Sequence, residues 1–235
     1  MHLQNVTYSY SKNELPLFQG LSLTFRQGKV NVVLGANGAG KTTLFDMLAG
    51  AMKRPEGFHD MFDQKEICYQ LQGFGLPDTL RGKDLFRLFL NTDDDSPYDS
   101  PEQALHLELT DEEKERVHRL WNKKTGLMSV GERRWIMITS VCLLNRRLYL
   151  FDEPTSGLDP EARHHILRKI DHLATEERYV VMSTHILHEL KHMDTHIFFL
   201  HNGKLMFEGS YEEYLQQAGT DDPDIAFEQM RKQTS

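Results

Sequence analysis

The stretch Gly35-Ala36-Asn37-Gly38-Ala39-Gly40-Lys41-Thr42 constrains this chain more than any other. It follows the apolar run Val30 to Leu34 and opens a helical pattern over Thr42 to Ala49, which Gly50 is suited to stop. The residues fit G-x-x-x-x-G-K-[ST]. Glycines there let the backbone approach an anion so closely that amide N–H groups wrap it at the helix N-terminus. Lys41 is placed to reach the β- and γ-phosphates, and Thr42 to hold Mg²⁺. With a strand before it and a helix after it, the motif implies a nucleoside triphosphate site rather than a simple glycine turn.

At 235 residues and 39% hydrophobic content, the chain can bury one full core, with or without a subdomain. A formal charge of -8 argues against broad electrostatic binding to nucleic acid or anionic membrane. Cys68 and Cys142 lie far apart and form no C-x-x-C pair, which reads as reduced thiols in a cytoplasmic protein. Met1 to Tyr10 has neither the basic start nor the apolar core of a signal peptide. The longest apolar stretch, Trp135 to Leu144, is interrupted by Thr139 and Ser140 and is too short to cross a bilayer. A membrane connection then has to come through another chain.

Leu3 to Tyr10 alternates, Asn13 to Pro16 reads as a turn, and Leu21 to Phe25 alternates again before Gln27-Gly28. This predicts a small antiparallel sheet ahead of the phosphate-loop strand. Tyr8 and Tyr10 share one face if the strand is regular, where a ring either packs in the core or stacks on a nucleotide base. Met52 to Cys68 is polar without a clear period. Ile67 to Leu71 leads to Gln72 and the flexible Gly73-Phe74-Gly75; an amide on such a joint can sense γ-phosphate or Mg²⁺, or be a plain surface glutamine. Pro77 to Lys124 reads as helical pieces, apolar at Asp84 to Leu90 and amphipathic at Thr110 to Trp121. Between them the acidic Asn91 to Pro101 reads as a solvated loop. This block interrupts the strand-helix alternation, as a helical subdomain inserted into a nucleotide-binding core would.

Ser129-Val130-Gly131-Glu132 has the pattern of a capping box, with a buried helix following it; its exposed hydroxyl and glycine amide also make an anion site. Leu148 to Phe151 reads as a buried strand that presents Asp152 and Glu153 at its carboxyl end, where α/β folds place ligands. Asp152 is suited to Mg²⁺, usually through water, and Glu153 to polarising the water that attacks the γ-phosphate. Asp159 is an N-cap with Pro160 as the first helical residue, and Ile166, Leu167, Ile170 and Leu173 mark the buried face. Tyr179 to Ser183 reads as another buried strand, delivering Thr184 and His185 to the same edge as Asp152. Asn202-Gly203 joins two apolar runs as a hairpin, Ser210 with Glu213 caps a final helix, and the polar tail beyond Gly219 is expected to fray. The spacing of His185, His188, His192 and His196 invites a metal clasp, but a solvated histidine-rich face is the default.

Together these motifs resemble the ATP-binding cassette ATPases, the nucleotide-binding subunits of ABC transporters, over nearly the whole chain. GANGAGKTT is similar to their Walker A loop, LYLFDE to Walker B with Glu153 as the catalytic carboxylate, and SGLD to the D-loop with Asp159. His185 resembles the switch histidine, Gln72 the Q-loop residue, and Tyr10 in VTYSY the aromatic that stacks on adenine. The resemblance implies an α/β P-loop NTPase core of the ABC ATPase type, with an antiparallel β subdomain and an inserted α-helical subdomain. The core falls at about 1–76 and 146–210, the helical subdomain with its signature loop at about 77–145, and a C-terminal helix and tail at 211–235.

It further implies ATP and Mg²⁺ as cofactors. Gly35, Asn37, Gly38, Ala39, Gly40, Lys41, Thr42 and Thr43 would bind the phosphates. Thr42, Gln72 and Asp152 would serve the metal, and Glu153, His185 and Gln72 would serve hydrolysis. The signature loop departs from LSGGQ, reading MSVGE; Ser129 and Gly131 are retained, and Glu132 is expected to turn into the capping box rather than repel phosphate. The stretch between Gly50 and Gln72 looks shorter than in the family, implying a reduced β subdomain. Partners implied are a second cassette, identical or paralogous, and a separate transmembrane permease subunit at the cytoplasmic face of the membrane, with no nucleic acid. The lack of a regulatory domain after His185 leans towards export. The alternatives are a soluble cassette ATPase acting on nucleic acid or a protein scaffold, and a regulatory nucleotide-binding protein without turnover.

Overall fold

The computed structural model describes residues 1–11, 14–73, 75–93, 98 and 100–232. Its centre is β3 (Val30–Gly35), whose six residues are all buried. An apolar run of this kind is what a strand covered on both faces requires. The exception, Asn31, satisfies its amide internally: Nδ2 donates to the carbonyls of Arg26 at 2.7 Å and Val180 at 3.0 Å, and Oδ1 accepts from Arg26 N–H at 2.7 Å. Around β3 lie β5 (Ile67–Gln70), β6 (Leu148–Asp152), β7 (Tyr179–Ser183), β8 (Thr195–His201) and β9 (Lys204–Ser210), in the order β5-β6-β7-β3-β8-β9. All neighbours run parallel except β8 and β9. That pair turns at Asn202-Gly203 with φ of 47° and 73°, the left-handed geometry the sequence called for.

A separate antiparallel sheet, β2-β1-β4, is built from β1 (His2–Tyr8), β2 (Phe18–Thr24) and β4 (Phe58–His59). The α/β core with a small antiparallel sheet and added helices is thus the architecture observed. β1 is not the regular strand through Tyr10 that the alternation suggested. It is irregular between Leu3 and Tyr8, carries Asn5 at φ 51°, and stops at Tyr8. The two-residue β4 explains why Met52 to Cys68 showed no period: the chain enters it through Gly57 at φ 99°, where a Cβ would sit 2.3 Å from the Gln4 carbonyl oxygen. Asn13 of the expected turn, Phe74 of the glycine joint, and residues 94–97 and 99 of the acidic loop lie outside the described residues.

The helices are α1 (Lys41–Leu48), α2 (Gly82–Leu90), α3 (Pro101–Glu108), α4 (Asp111–Leu120), α5 (Val130–Cys142), α6 (Pro160–Leu173), α7 (Tyr211–Ala218) and α8 (Pro223–Lys232). Capping boxes Thr110/Glu113, Ser129/Glu132 and Ser210/Glu213 start α4, α5 and α7, and Asp159 with Pro160 starts α6. One apolar cluster packs α5 to α8 on one face of the large sheet, a second packs α1 and the small sheet on the other, and a third joins α2 to α5. None of the helices among the described residues is long and apolar enough to cross a membrane.

The C-terminal expectation needs correction. α7 is followed by α8, and of the segment beyond Gly219 residues 233–235 fall outside the described part. Asp222 accepts the first N–H groups of α8, from Asp224 at 2.9 Å and Ile225 at 3.2 Å. Pro223, Ala226 and Met230 are buried at helical spacing, and Phe227 meets Phe199 at 5.3 Å between centroids. The segment is polar on average, so its narrow apolar stripe was hidden until a surface existed for it to cover.

Cys68 in β5 and Cys142 at the end of α5 are free thiols. Burial pushes each up to about 12. Since the thiolate is the reactive species, neither is expected to react with Ellman's reagent at pH 8 in the native protein. Both should titrate rapidly once the protein is denatured; fast labelling without denaturant would contradict their raised pKa.

Candidate active site

The loop between β3 and α1 carries the phosphate-binding pattern. Gly38 and Gly40 take φ of 81° and 97°, and a Cβ on Gly40 would lie 2.6 Å from Phe18 Cε1, so the tight turn requires glycine there. Lys41 starts α1 and folds over the loop, its Nζ donating to the carbonyls of Gly35 at 2.8 Å and Ala36 at 3.3 Å. Burial lowers its pKa, against the opposing pull of Glu153 and Asp152. A partly desolvated ammonium on a rim of backbone amides is matched to a polyphosphate.

A cavity of about 320 Å³ opens over this loop. It brings Tyr10, Asn37, Gly38 and Gly40 to Thr43 together with Gln72 and Glu153, residues the sequence had singled out from four separate stretches. Tyr10 is 61% exposed and hydrogen-bonds through its hydroxyl to Thr43 Oγ1 at 2.5 Å, so its ring stands at the rim. Tyr8 instead packs beside Phe18 at 6.5 Å and against the edge of Tyr10 at 5.4 Å.

Glu153, directly after β6, supplies the acidic side of the cavity, and the carboxyl ends of β6 and β7 fix its surroundings. Asp152 Oδ2 accepts from Thr42 Oγ1 at 2.8 Å and Oδ1 from Ser183 Oγ at 2.6 Å. The next residue, Glu153, sits at φ 48°, an uncommon conformation for a side-chain-bearing residue. Its N–H donates to the same Ser183 hydroxyl at 2.9 Å. Glu153 Oε2 accepts from Gln72 Nε2 at 2.6 Å, and Oε1 contacts His185 Nε2. One carboxylate therefore ties the loop after β5 to the loop after β7.

The adjacent Thr42 hydroxyl and Asp152 carboxylate form a hard oxygen pair suited to Mg²⁺. Gln72, expected at the metal, directs its amide N–H to Glu153. Ser183 escaped the sequence reading. The signal available was a hydroxyl ending a buried strand directly before Thr184-His185, but its register opposite Asp152 is a property of the sheet.

Ser129, Gly131 and Asp159 are not brought to this cavity. They form a second group, where the start of α5 meets the start of α6. Ser129 Oγ accepts from Glu132 N–H at 3.1 Å, and Glu132 Oε2 accepts from Ser129 N–H at 2.8 Å, so Glu132 does turn into the capping box. Asp159 Oδ1 accepts from Ala162 N–H at 2.9 Å, and a Cβ on Gly131 would stand 3.6 Å from Ala162 Cβ and 3.9 Å from Asp159 Oδ2. The histidines spaced along 185–196 do not gather. His188 joins Asp222 and Asp224 in an exposed group, His185 contacts Glu153, and His196 contacts Glu208.

A glycine loop leading from a central parallel strand into a helix, with two consecutive acidic residues at the carboxyl end of another strand of the same sheet, defines a P-loop nucleoside triphosphatase of the α/β class. Residues 18–156 match the family described as ABC transporter. The chain is 32% identical over 193 residues to Protein McbF of Escherichia coli, covering 81% of this chain and 78% of that protein. Among solved structures, it resembles the ATP binding subunit of an ABC transporter with a TM-score of 0.80 and 22% identity over 97% of this chain and 98% of that one. It also resembles the ATP-binding cassette MJ0796, in a dimeric post-hydrolysis state bound to ADP and Pi. That match has a TM-score of 0.67 and 21% identity over 89% of this chain and 98% of that one. The chain belongs to the ABC transporter family; it is an ATP-binding subunit and an ATPase.

Proposed function

We propose that this subunit works as a pair of cassettes that close head to tail on ATP, and that closure and hydrolysis move a substrate through a separate transmembrane permease. The observation that carries the reading is the position of Glu153: beside the phosphate loop, with one carboxylate oxygen on Gln72 and the other on His185. Gly35 to Thr43 would bind the triphosphate, with Tyr10 against the base. Thr42 and Asp152 would hold Mg²⁺, which supplies a Lewis acid for charge developing on the phosphoryl oxygens. Glu153 would orient and deprotonate the attacking water, and His185 would contact the γ-phosphate.

Ser129 and Gly131 stand outside this cavity in their own chain, which supports assigning them to the phosphate held by a facing cassette. Asp159, beside them, would lie at the same junction. Gln72 leads from β5 towards the helices of 77–145, so its bond to Glu153 links the hydrolytic carboxylate to the side we assign to the permease. On the family analogy we place the assembly at the cytoplasmic face of the membrane and favour export. The second cassette is either a copy of this chain or a paralogue.

Gly131→Ala tests the pairing. The added methyl meets its own chain only at ordinary contact distance, so stability should stay within about 0.5 kcal/mol of wild type. Steady-state hydrolysis should fall about tenfold or more, because a methyl blocks close approach of phosphate to the helix end. Unchanged turnover would remove Gly131 from the site. Recovery of the tagged chain with an integral membrane protein from detergent extracts supports the transporter reading, whereas recovery with nucleic acid or a soluble scaffold would replace it.

A further inference from the structure

Glu132 puts a fixed negative charge into a helix turn suited to anions. At the N-terminus of α5, unpaired N–H groups and the helix dipole favour an incoming phosphate, and an uncompensated carboxylate there repels it. The structure holds a counterweight in the segment between α4 and α5. Lys123 Nζ donates to Glu132 Oε2 at 2.7 Å and to Oε1 at 3.0 Å, while the Ser129 N–H donates to Oε2 at 2.8 Å. Burial opposes ionisation of Glu132, but the Lys123 ammonium and the Ser129 N–H outweigh it and hold the carboxyl below its ordinary value. Arg116 of α4 also acts on Glu132 through its charge, yet its guanidinium lies over the Trp135 ring, 4.8 Å from the centroid. Lys123 contacts the carboxylate directly.

We propose that Lys123 is a positioning residue for the phosphate-binding end of α5: it keeps Glu132 in the capping box and cancels its charge, so that Ser129 and Gly131 can accept the γ-phosphate of a facing cassette. This rests on the head-to-tail reading above. A sequence that carries a carboxylate at this position then needs a partner cation, and the partner comes from outside the motif.

The test uses Glu153→Gln, in which hydrolysis is blocked, as the parent, with ATP-driven dimerisation followed by sedimentation. Adding Lys123→Met should raise the dimer dissociation constant about tenfold or more, since both halves of the pair lose the contact. Binding of a fluorescent ATP analogue to the monomer should not change. Lys123→Arg should restore most of the loss, and Glu132→Gln combined with Lys123→Met should return the parent value, because no charge then remains to be cancelled. A role for Lys123 in packing alone predicts no rescue by Glu132→Gln. Parent-like dimerisation of the Lys123→Met protein, or failure of that rescue, overturns the proposal. If the Glu153→Gln parent binds ATP but stays monomeric, the head-to-tail pairing of identical cassettes is itself wrong, and the role of Lys123 in such a self-paired dimer falls with it.

Discussion

Glu153→Gln is expected to lower steady-state ATP hydrolysis by about 10²–10⁴-fold, the usual contribution of a positioned general base. The amide keeps the size of the side chain and can still accept from Gln72, so ATP binding should survive. What is lost is the proton acceptor. With closure intact and reopening blocked, size-exclusion chromatography in Mg²⁺ and ATP should show a dimer for the variant and a monomer for wild type. Wild-type turnover in the variant would hand the base role to another group. If both proteins bind ATP and remain monomeric, the closed state needs a different cassette or the permease to complete it.

The second large effect is on stability. Asp93, just past the end of α2, is fully buried and paired with Arg146, just before β6, at 2.5 Å; their side chains are 0% and 9% exposed. Asp93 Oδ2 also accepts from Asn145 N–H at 2.6 Å, and Arg146 Nη2 donates to the Thr92 carbonyl at 2.8 Å. This small network pins the end of α2 to the segment that enters β6. Asp93→Ala leaves the guanidinium buried without its counter-ion, at a cost of about 3–5 kcal/mol. For a chain of this length that lowers the melting temperature by roughly 10 °C. Differential scanning calorimetry decides it: a loss under about 1 kcal/mol would mean that the pair behaves as a solvated surface contact. Arg146→Met in the Asp93→Ala background should recover part of the loss, because it removes the stranded charge.

Much of the site was readable because its chemistry is local. The phosphate loop announces itself by glycines that must adopt positive φ, Asp152 and Glu153 by ending a buried run, and the capping boxes by a polar pair three residues apart. The C-terminal helix was missed for the opposite reason. Its stripe of Pro223, Ala226 and Met230 is too narrow to raise the average hydrophobicity, and it gains stability only against Phe199 and the core behind it. Met52 to Cys68 was unreadable because a two-residue strand has no period to detect. Tyr10 rather than Tyr8 was named from the resemblance; the physical reason that it stands at the rim is where β1 stops, which depends on its irregular pairing with β2.

By itself, the sequence determined the α/β class, the triphosphate loop, the acidic strand end and the caps of α5, α6 and α7, since each rests on backbone dihedrals or hydrogen bonds within a few consecutive residues. Only the tertiary structure decided that Glu153 bridges Gln72 and His185, that Ser183 serves both Asp152 and the Glu153 backbone, and that Lys123 neutralises Glu132. Those contacts depend on strand order, sheet register and the approach of separate segments, and the energy of a hydrogen bond or ion pair exists only once folding has brought its two ends together.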